Sequence, residues 1–132
     1  MIGLDTNVLA RYLAQDDPLQ SARATRLIER ELSTRNPGLI SLVVLLELLW
    51  VLESAYAMSE AARVSIVERL LAAKEIQLEA PLLVRKALAL KGNTSAGLPD
   101  ILIGLLYQAQ GAVETATFDK RASKLPGWRL LK

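Results

Sequence analysis

The chain has 132 residues, 52% of them hydrophobic, with neither cysteine nor histidine. That length fits one domain spanning residues 1–132, and the missing residue types exclude disulfides, thiolate zinc sites, cysteine nucleophiles and every histidine base. The net charge is only +2, from 16 basic and 14 acidic side chains, so net charge alone points to no partner.

Ile2 to Leu4 reads as a short buried strand that stops at Asp5, and Thr6 to Leu13 has helical spacing. Asp16-Asp17-Pro18 breaks and restarts the chain, with Pro18 suited to a first helical turn. The following pattern predicts an amphipathic helix to about Arg35, with Leu19, Ala22, Leu27, Ile28 and Leu32 inward and a basic outer face. Asn36-Pro37-Gly38 is a turn, Leu39 to Ser41 a second strand, and an apolar helix runs from Leu42 or Val43 to about Ala55. Ser59-Glu60 opens a helix to about Ala73, Ile76 to Leu78 is a third strand, and Pro81 starts a helix reaching Leu90. Lys91 to Gly97 is a small polar loop, mobile by composition. Leu98-Pro99-Asp100 starts a helix ending near Gly111, and Ala112 to Phe118 is a fourth strand. A short helix or turn at Asp119 to Lys124 then leads to a fifth strand at Trp128 to Leu131.

Strands alternating with helices predict an α/β fold with a short, mainly parallel central sheet of four to five strands. The N-terminus carries no basic leader, and the longest apolar stretch falls short of the ~20 residues that span a bilayer. A cytoplasmic protein with no membrane segment is therefore expected. Trp50 and Tyr107 are expected in the core or at an interface rather than against a ligand.

Four acids stand out. Glu47 is the one charge between Gly38 and Leu52, and Val43, Val44, Trp50 and Val51, one helical turn away, are apolar. No lysine or arginine lies at the spacing that would pair with it along the helix. A buried carboxylate so placed is costly unless a distant group or a metal meets it. Asp5 and Asp119 lie just past predicted strands, on the edge where open parallel sheets build their sites, and Asp100 opens a helix. Each of these three also suits helix capping or a first-turn position. Together they fit a site in which a cation neutralises mutually repelling carboxylates. With no thiolate or imidazole donor in the chain, a hard cation such as Mg2+ or Mn2+ is favoured. With the four acids gathered there, 16 basic groups would face 10 acidic ones elsewhere, a balance that suits a polyanion.

The segments MIGLDTNVLARYL, ISLVVLLELLWVL, LPDILIG and TATFDKRASKL, in this order and spacing, resemble the PIN-domain nucleases. More closely they are similar to VapC-type toxins of type II toxin–antitoxin pairs. The resemblance implies a three-layer α/β/α domain that cleaves RNA with Mg2+ or Mn2+, forms a homodimer and is inhibited by a small antitoxin. It implies that Asp5, Glu47, Asp100 and Asp119 are the catalytic, metal-binding acids. Thr6, Asn7 and Thr117 stand beside them as supporting residues, with capping and turn roles as the alternative. Arg11, Arg85, Lys86, Lys91, Lys120, Arg121 and Lys124 flank the motifs and are candidates for RNA phosphates; a solvated surface is the alternative for each. The pattern departs from many relatives at Ser95-Ala96-Gly97, where an additional acid would support a second metal.

Two other readings compete. A HAD-like phosphohydrolase also places an aspartate after its first strand, but it wants a second one two positions on, where this chain has Asn7. A non-catalytic module would keep the fold and bind RNA or protein. Dinucleotide and P-loop fingerprints are absent.

Overall fold

Three short apolar segments, Ile2–Gly3 (β1), Gly38–Ile40 (β2) and Ile76–Leu78 (β3), pair in parallel in the order β1-β2-β3. Ile2 lies opposite Gly38, which lies opposite Ile76. A Cβ on Gly38 would stand 2.8 Å from both Leu4 Cδ1 and Leu32 Cδ1, so those leucines close over the strand only because it has no side chain there. Ile40 and Leu78, at the carboxyl ends of their strands, are buried. The computed structural model describes residues 1–132, which divide into two compact units, Met1–Glu79 and Ala80–Lys132.

In the first unit, helix α1 (Thr6–Ala14) follows β1 after two residues and is capped by Asp5. It ends at Gln15 in the left-handed region, whose N–H donates to the Arg11 carbonyl at 3.0 Å. Helix α2 (Pro18–Arg26) is capped by Asp17, whose Oδ1 accepts the N–H groups of Leu19 and Gln20, with Pro18 in the first turn as the sequence predicts. It continues as a wider turn, Leu27–Glu31, closed by the Leu32 N–H on the Leu27 carbonyl at 3.0 Å. The helix thus stops short of Arg35. Ser33 and Asn36 bond to each other instead, through Ser33 N–H to the Asn36 carbonyl and Asn36 N–H to Ser33 Oγ, both 3.1 Å.

The inward face of α2 differs from the predicted one. Leu19 and Ala22 are exposed, and Ser21 and Ala24 are buried in their place, whereas Ile28 and Leu32 beyond α2 are buried as expected. The small Ser21 and Ala24 let α2 approach α1, where Ser21 Oγ donates to the Arg11 carbonyl at 2.9 Å.

Helix α3 (Leu42–Ser54) is capped by Ser41 and by Glu79, whose Oε1 accepts the Leu42 N–H at 2.8 Å. Leu42, Leu45, Leu48, Leu49 and Leu52 form its buried face. Helix α4 (Glu60–Ala72) begins at the Ser59 cap. Its buried Arg63 donates to the Met58 carbonyl and pairs with Glu53 at 3.2 Å, which fixes the turn from α3 into α4.

The second unit holds helices α5 (Pro81–Lys91) and α6 (Leu98–Ala109), then strands β4 (Thr115–Thr117) and β5 (Trp128–Leu130), which pair in parallel. A short 3-10 turn, Ala122–Lys124, connects the two strands. The fourth strand is shorter than predicted because the backbone up to Ala112 still serves α6: the Ala112 N–H donates to the Tyr107 carbonyl at 3.0 Å and Gly111 takes φ +94. The parallel pairing agrees with expectation. The single central sheet does not: three strands pair in one sheet and two in another. Trp50 and Tyr107 are both exposed, so neither is a core residue. No helix is long and apolar enough to cross a membrane.

Gly104 sits in the middle of α6 directly against the Trp128 indole, where an added Cβ would touch Nε1 and stand 3.0 Å from Cε2. Gly104→Ala should therefore lower stability by about 1–2 kcal/mol, the overpacking outweighing the gain in helix propensity. Urea denaturation measures it; an equal or higher midpoint would contradict the close contact.

Candidate active site

Asp5 and Glu47 are 42 positions apart and both are tied to Thr6. Asp5 leaves β1 in an extended conformation, and its Oδ1 accepts the Thr6 N–H at 2.8 Å as the cap of α1. Thr6 is 3% exposed, and its hydroxyl donates to Glu47 Oε1 across the α1–α3 packing. One threonine thus holds two carboxylates, one through its backbone and one through its hydroxyl. The other oxygen of each acid, Asp5 Oδ2 and Glu47 Oε2, is left free of that hold. Asn7 is exposed at the next position.

This geometry corrects the sequence-based picture of Glu47. The residue is exposed, on an outer face of α3 with Val43 at 77% and Trp50 at 65% exposure. The leucines around it point the other way. The distant partner anticipated from the sequence is a hydroxyl, not an arginine, and the acid is accommodated by exposure together with that hydrogen bond.

Asp100 and Asp119 belong to the second unit. Asp100 lies in the first turn of α6 behind Pro99, where its charge is favourable to the helix dipole. Partial burial raises its pKa above the ordinary carboxylate value; the neighbouring Asp119 charge raises it further, and Arg121 opposes both. Asp119 follows β4 and closes the turn after it: Oδ1 accepts the Arg121 N–H at 2.8 Å and the Ala122 N–H at 3.3 Å. Thr117 Oγ1 accepts the Asp119 N–H at 3.0 Å, so this threonine sets the backbone at the acid rather than touching the carboxylate. The capping roles of Asp5 and Asp119 are therefore real, and each uses one oxygen only.

The acids thus stand as two pairs, one in each unit, and no group of three or more forms a ready-made metal cage. The donor chemistry nonetheless fits a hard cation. Mg2+ keeps several waters and takes one or two carboxylates, and all available donors are oxygens. The mutual repulsion of Asp100 and Asp119 is the kind of strain a cation relieves.

The basic candidates sort by what they already hold. Arg121 donates from Nη2 to the Ser95 carbonyl, fastening the 91–97 loop from outside it, and Lys91 Nζ donates to the Thr94 carbonyl at 3.2 Å, fastening it from within. Ala96 of that loop is fully buried, which the polar composition did not suggest. Lys86 borders a cavity of about 210 Å³ beside Trp128 and Gln108. Arg85, Lys120 and Lys124 are exposed. Arg11 pairs with Asp16 at 2.8 Å, and Tyr56 donates its hydroxyl to the same carboxylate oxygen at 2.8 Å. Sequence reading missed the Tyr56–Asp16 bond, for nothing in a chain marks two residues 40 positions apart as neighbours.

A comparison with curated proteins gives no match. The six helices and small parallel sheets are consistent with a three-layer α/β/α fold. The family model for the PIN domain matches residues 2–127, a span that takes in all four acids and all six helices, and the chain accordingly belongs to the PIN domain family.

Proposed function

We propose that this chain is a metal-dependent endoribonuclease, and more narrowly a VapC-type toxin that acts in the cytoplasm as a homodimer until a small antitoxin inhibits it. The observation that carries the nuclease reading is the double hold of Thr6 on Asp5 and Glu47, which presents two carboxylates with an oxygen each to spare. Membership of the PIN domain family supports it, since such domains are generally metal-dependent nucleases. The toxin reading rests on the resemblance of the LDTNVL, ELLWVL and TFDK segments, and the exposed Trp50, Val113 and Phe118 supply apolar surface for partners.

Asp5, Glu47, Asp100 and Asp119 are the residues that would hold Mg2+ or Mn2+. When bound, such a cation polarises a phosphodiester oxygen and makes water a better nucleophile at neutral pH. The protein's own contribution is placement. Thr6 holds the Glu47 carboxylate through its hydroxyl and the Asp5 carboxylate through its backbone N–H, and Thr117 fixes the backbone at Asp119. Burial and the Asp119 charge both disfavour the ionised form of Asp100.

Purified protein should cleave RNA with Mg2+ or Mn2+ and stop when EDTA is added. Asp5→Asn and Asp119→Asn should each lower the cleavage rate by about 100-fold or more. Full activity in either variant would overturn the mechanism, and a phosphate trapped covalently on Asp5 would point to a phosphohydrolase instead. Thr6→Val should cost about 10- to 100-fold while Thr6→Ser keeps most of the rate, the usual range for a partner that orients a metal-binding carboxylate.

The raised pKa of Asp100 means that its ionised form opposes folding in the metal-free protein. That penalty is complete above the folded-state pKa and disappears as the pH falls through it toward the unfolded value. Asp100→Asn should therefore raise the melting temperature at pH 7 in EDTA, with the gain shrinking on acidification. A gain that grows toward low pH would contradict the assignment.

A further inference from the structure

Helix α3 is tied to other parts of the chain by three directional side-chain contacts, one at its start, one in its middle and one at its end. The middle contact, from Thr6 to Glu47, belongs to the site already described. The last, from Arg63 to Glu53, fixes the turn into α4. The first is made by an acid that no motif marks: Glu79 Oε1 accepts the Leu42 N–H at 2.8 Å. Glu79 lies 37 positions from Leu42 and directly follows β3.

That bond is more than a helix start requires. Ser41 already caps α3 locally, its Oγ accepting the Val44 N–H at 3.1 Å, and α1 and α2 each begin on one such residue, Asp5 and Asp17. Glu79 adds a tie to the sheet. Its backbone N–H donates to the Ile40 carbonyl at 2.9 Å, which continues the β2–β3 ladder by one rung, while its carboxylate holds the first N–H of α3. The two bonds grip the chain on either side of Ser41, where strand turns into helix. The inward leucines set which face of α3 is buried, but apolar burial is non-directional. A hydrogen bond at the helix end, with its narrow range of length and angle, sets where the helix stands along its axis. Glu47 is five residues beyond Leu42 in the same helix, about 7.5 Å along that axis.

We propose that Glu79 is a positioning residue for Glu47. It fixes the start of α3 against β3, and through the helix it keeps the Glu47 carboxylate at the Thr6 hydroxyl. Its consequence for cation binding rests on the metal-dependent reading of the site. The role needs reach rather than charge. Glu79→Gln keeps an accepting oxygen at the same distance from the backbone and loses the charge, whereas Glu79→Asp keeps the charge and draws the oxygen back by one methylene. A residue that itself met the cation would depend on its charge and suffer most from Glu79→Gln.

The full chain, 15N-labelled, is measured first in EDTA. Glu79→Asp should shift the amide resonances of α3 as far as Glu47, and that of Thr6, while Glu79→Gln leaves them close to their native positions. Thr6→Val should lower the melting temperature in the Glu79→Asp background by about half as much as in the native chain, or less, because the Thr6–Glu47 bond is already loosened there. Mn2+ is then titrated in. Glu79→Asp should weaken its binding, read from broadening at Asp5 and Thr6, by about 10-fold, and Glu79→Gln by less than about twofold. Ser59→Ala, which removes a side-chain cap from α4, should lower the melting temperature and leave the Mn2+ affinity unchanged. Additive melting shifts for Thr6→Val and Glu79→Asp, or native Mn2+ affinity in Glu79→Asp, overturn the inference and leave Glu79 a cap only. So does a greater loss in Glu79→Gln than in Glu79→Asp, which would make Glu79 a ligand. A native chain that binds no Mn2+ at Asp5 and Glu47 would sink the metal reading, while the measurements in EDTA still decide the positioning.

Discussion

The hydroxyl of Thr6 is the contact on which the site in the first unit depends. It is buried between α1 and α3 and donates to Glu47, while its backbone N–H is accepted by Asp5. The fold serves this contact. Parallel pairing of β1 and β2 delivers Asp5 and Ser41 to the same end of the sheet, each as the cap of the helix that follows. The buried leucine face of α3 then sets the rotation of that helix, which turns Glu47 outward to within reach of Thr6. A small polar residue at position 6 is required by that geometry: a larger one would separate α1 from α3, and an apolar one would leave Glu47 without its anchor.

Electrostatics argue the same way from the second unit. Asp100 and Asp119 oppose each other's ionisation, and Asp119 and Arg121 also bind together the turn after β4 and the 91–97 loop. Asp119 uses one oxygen on that turn, and its charge adds to burial in raising the Asp100 pKa. The chain belongs to the PIN domain family, whose members are generally metal-dependent nucleases.

Much of this was legible in the chain because helix starts are local. Ser41, Ser59, Asp17 with Pro18, and Pro81 each marked a helix within a residue of where it begins. Asp5 and Asp119 could be placed after strands for the same reason. What failed was decided by contacts distant in sequence. Glu47 looked buried because its neighbours are apolar, yet the five inward leucines of α3 leave Val43, Glu47 and Trp50 on an outer face. The inward face of α2 was misassigned because close approach to α1 selects Ser21 and Ala24 over the larger Leu19. The division of five strands between two sheets follows from hydrogen-bond pairing, which no tripeptide encodes. The bond from Arg121 to the Ser95 carbonyl, 26 positions away, was equally invisible in the chain.

The central proposal is that Asp5, Glu47, Asp100 and Asp119 are ligands of a hard divalent cation. Paramagnetic broadening by Mn2+, added below one equivalent to 15N-labelled protein, tests it without reference to any RNA. The account predicts that resonances of Asp5, Thr6, Glu47, Asp100 and Asp119 broaden first and recover when Mg2+ is added in excess. Broadening that begins instead at other exposed acids, such as Asp16 or Glu29 and Glu31, would contradict it.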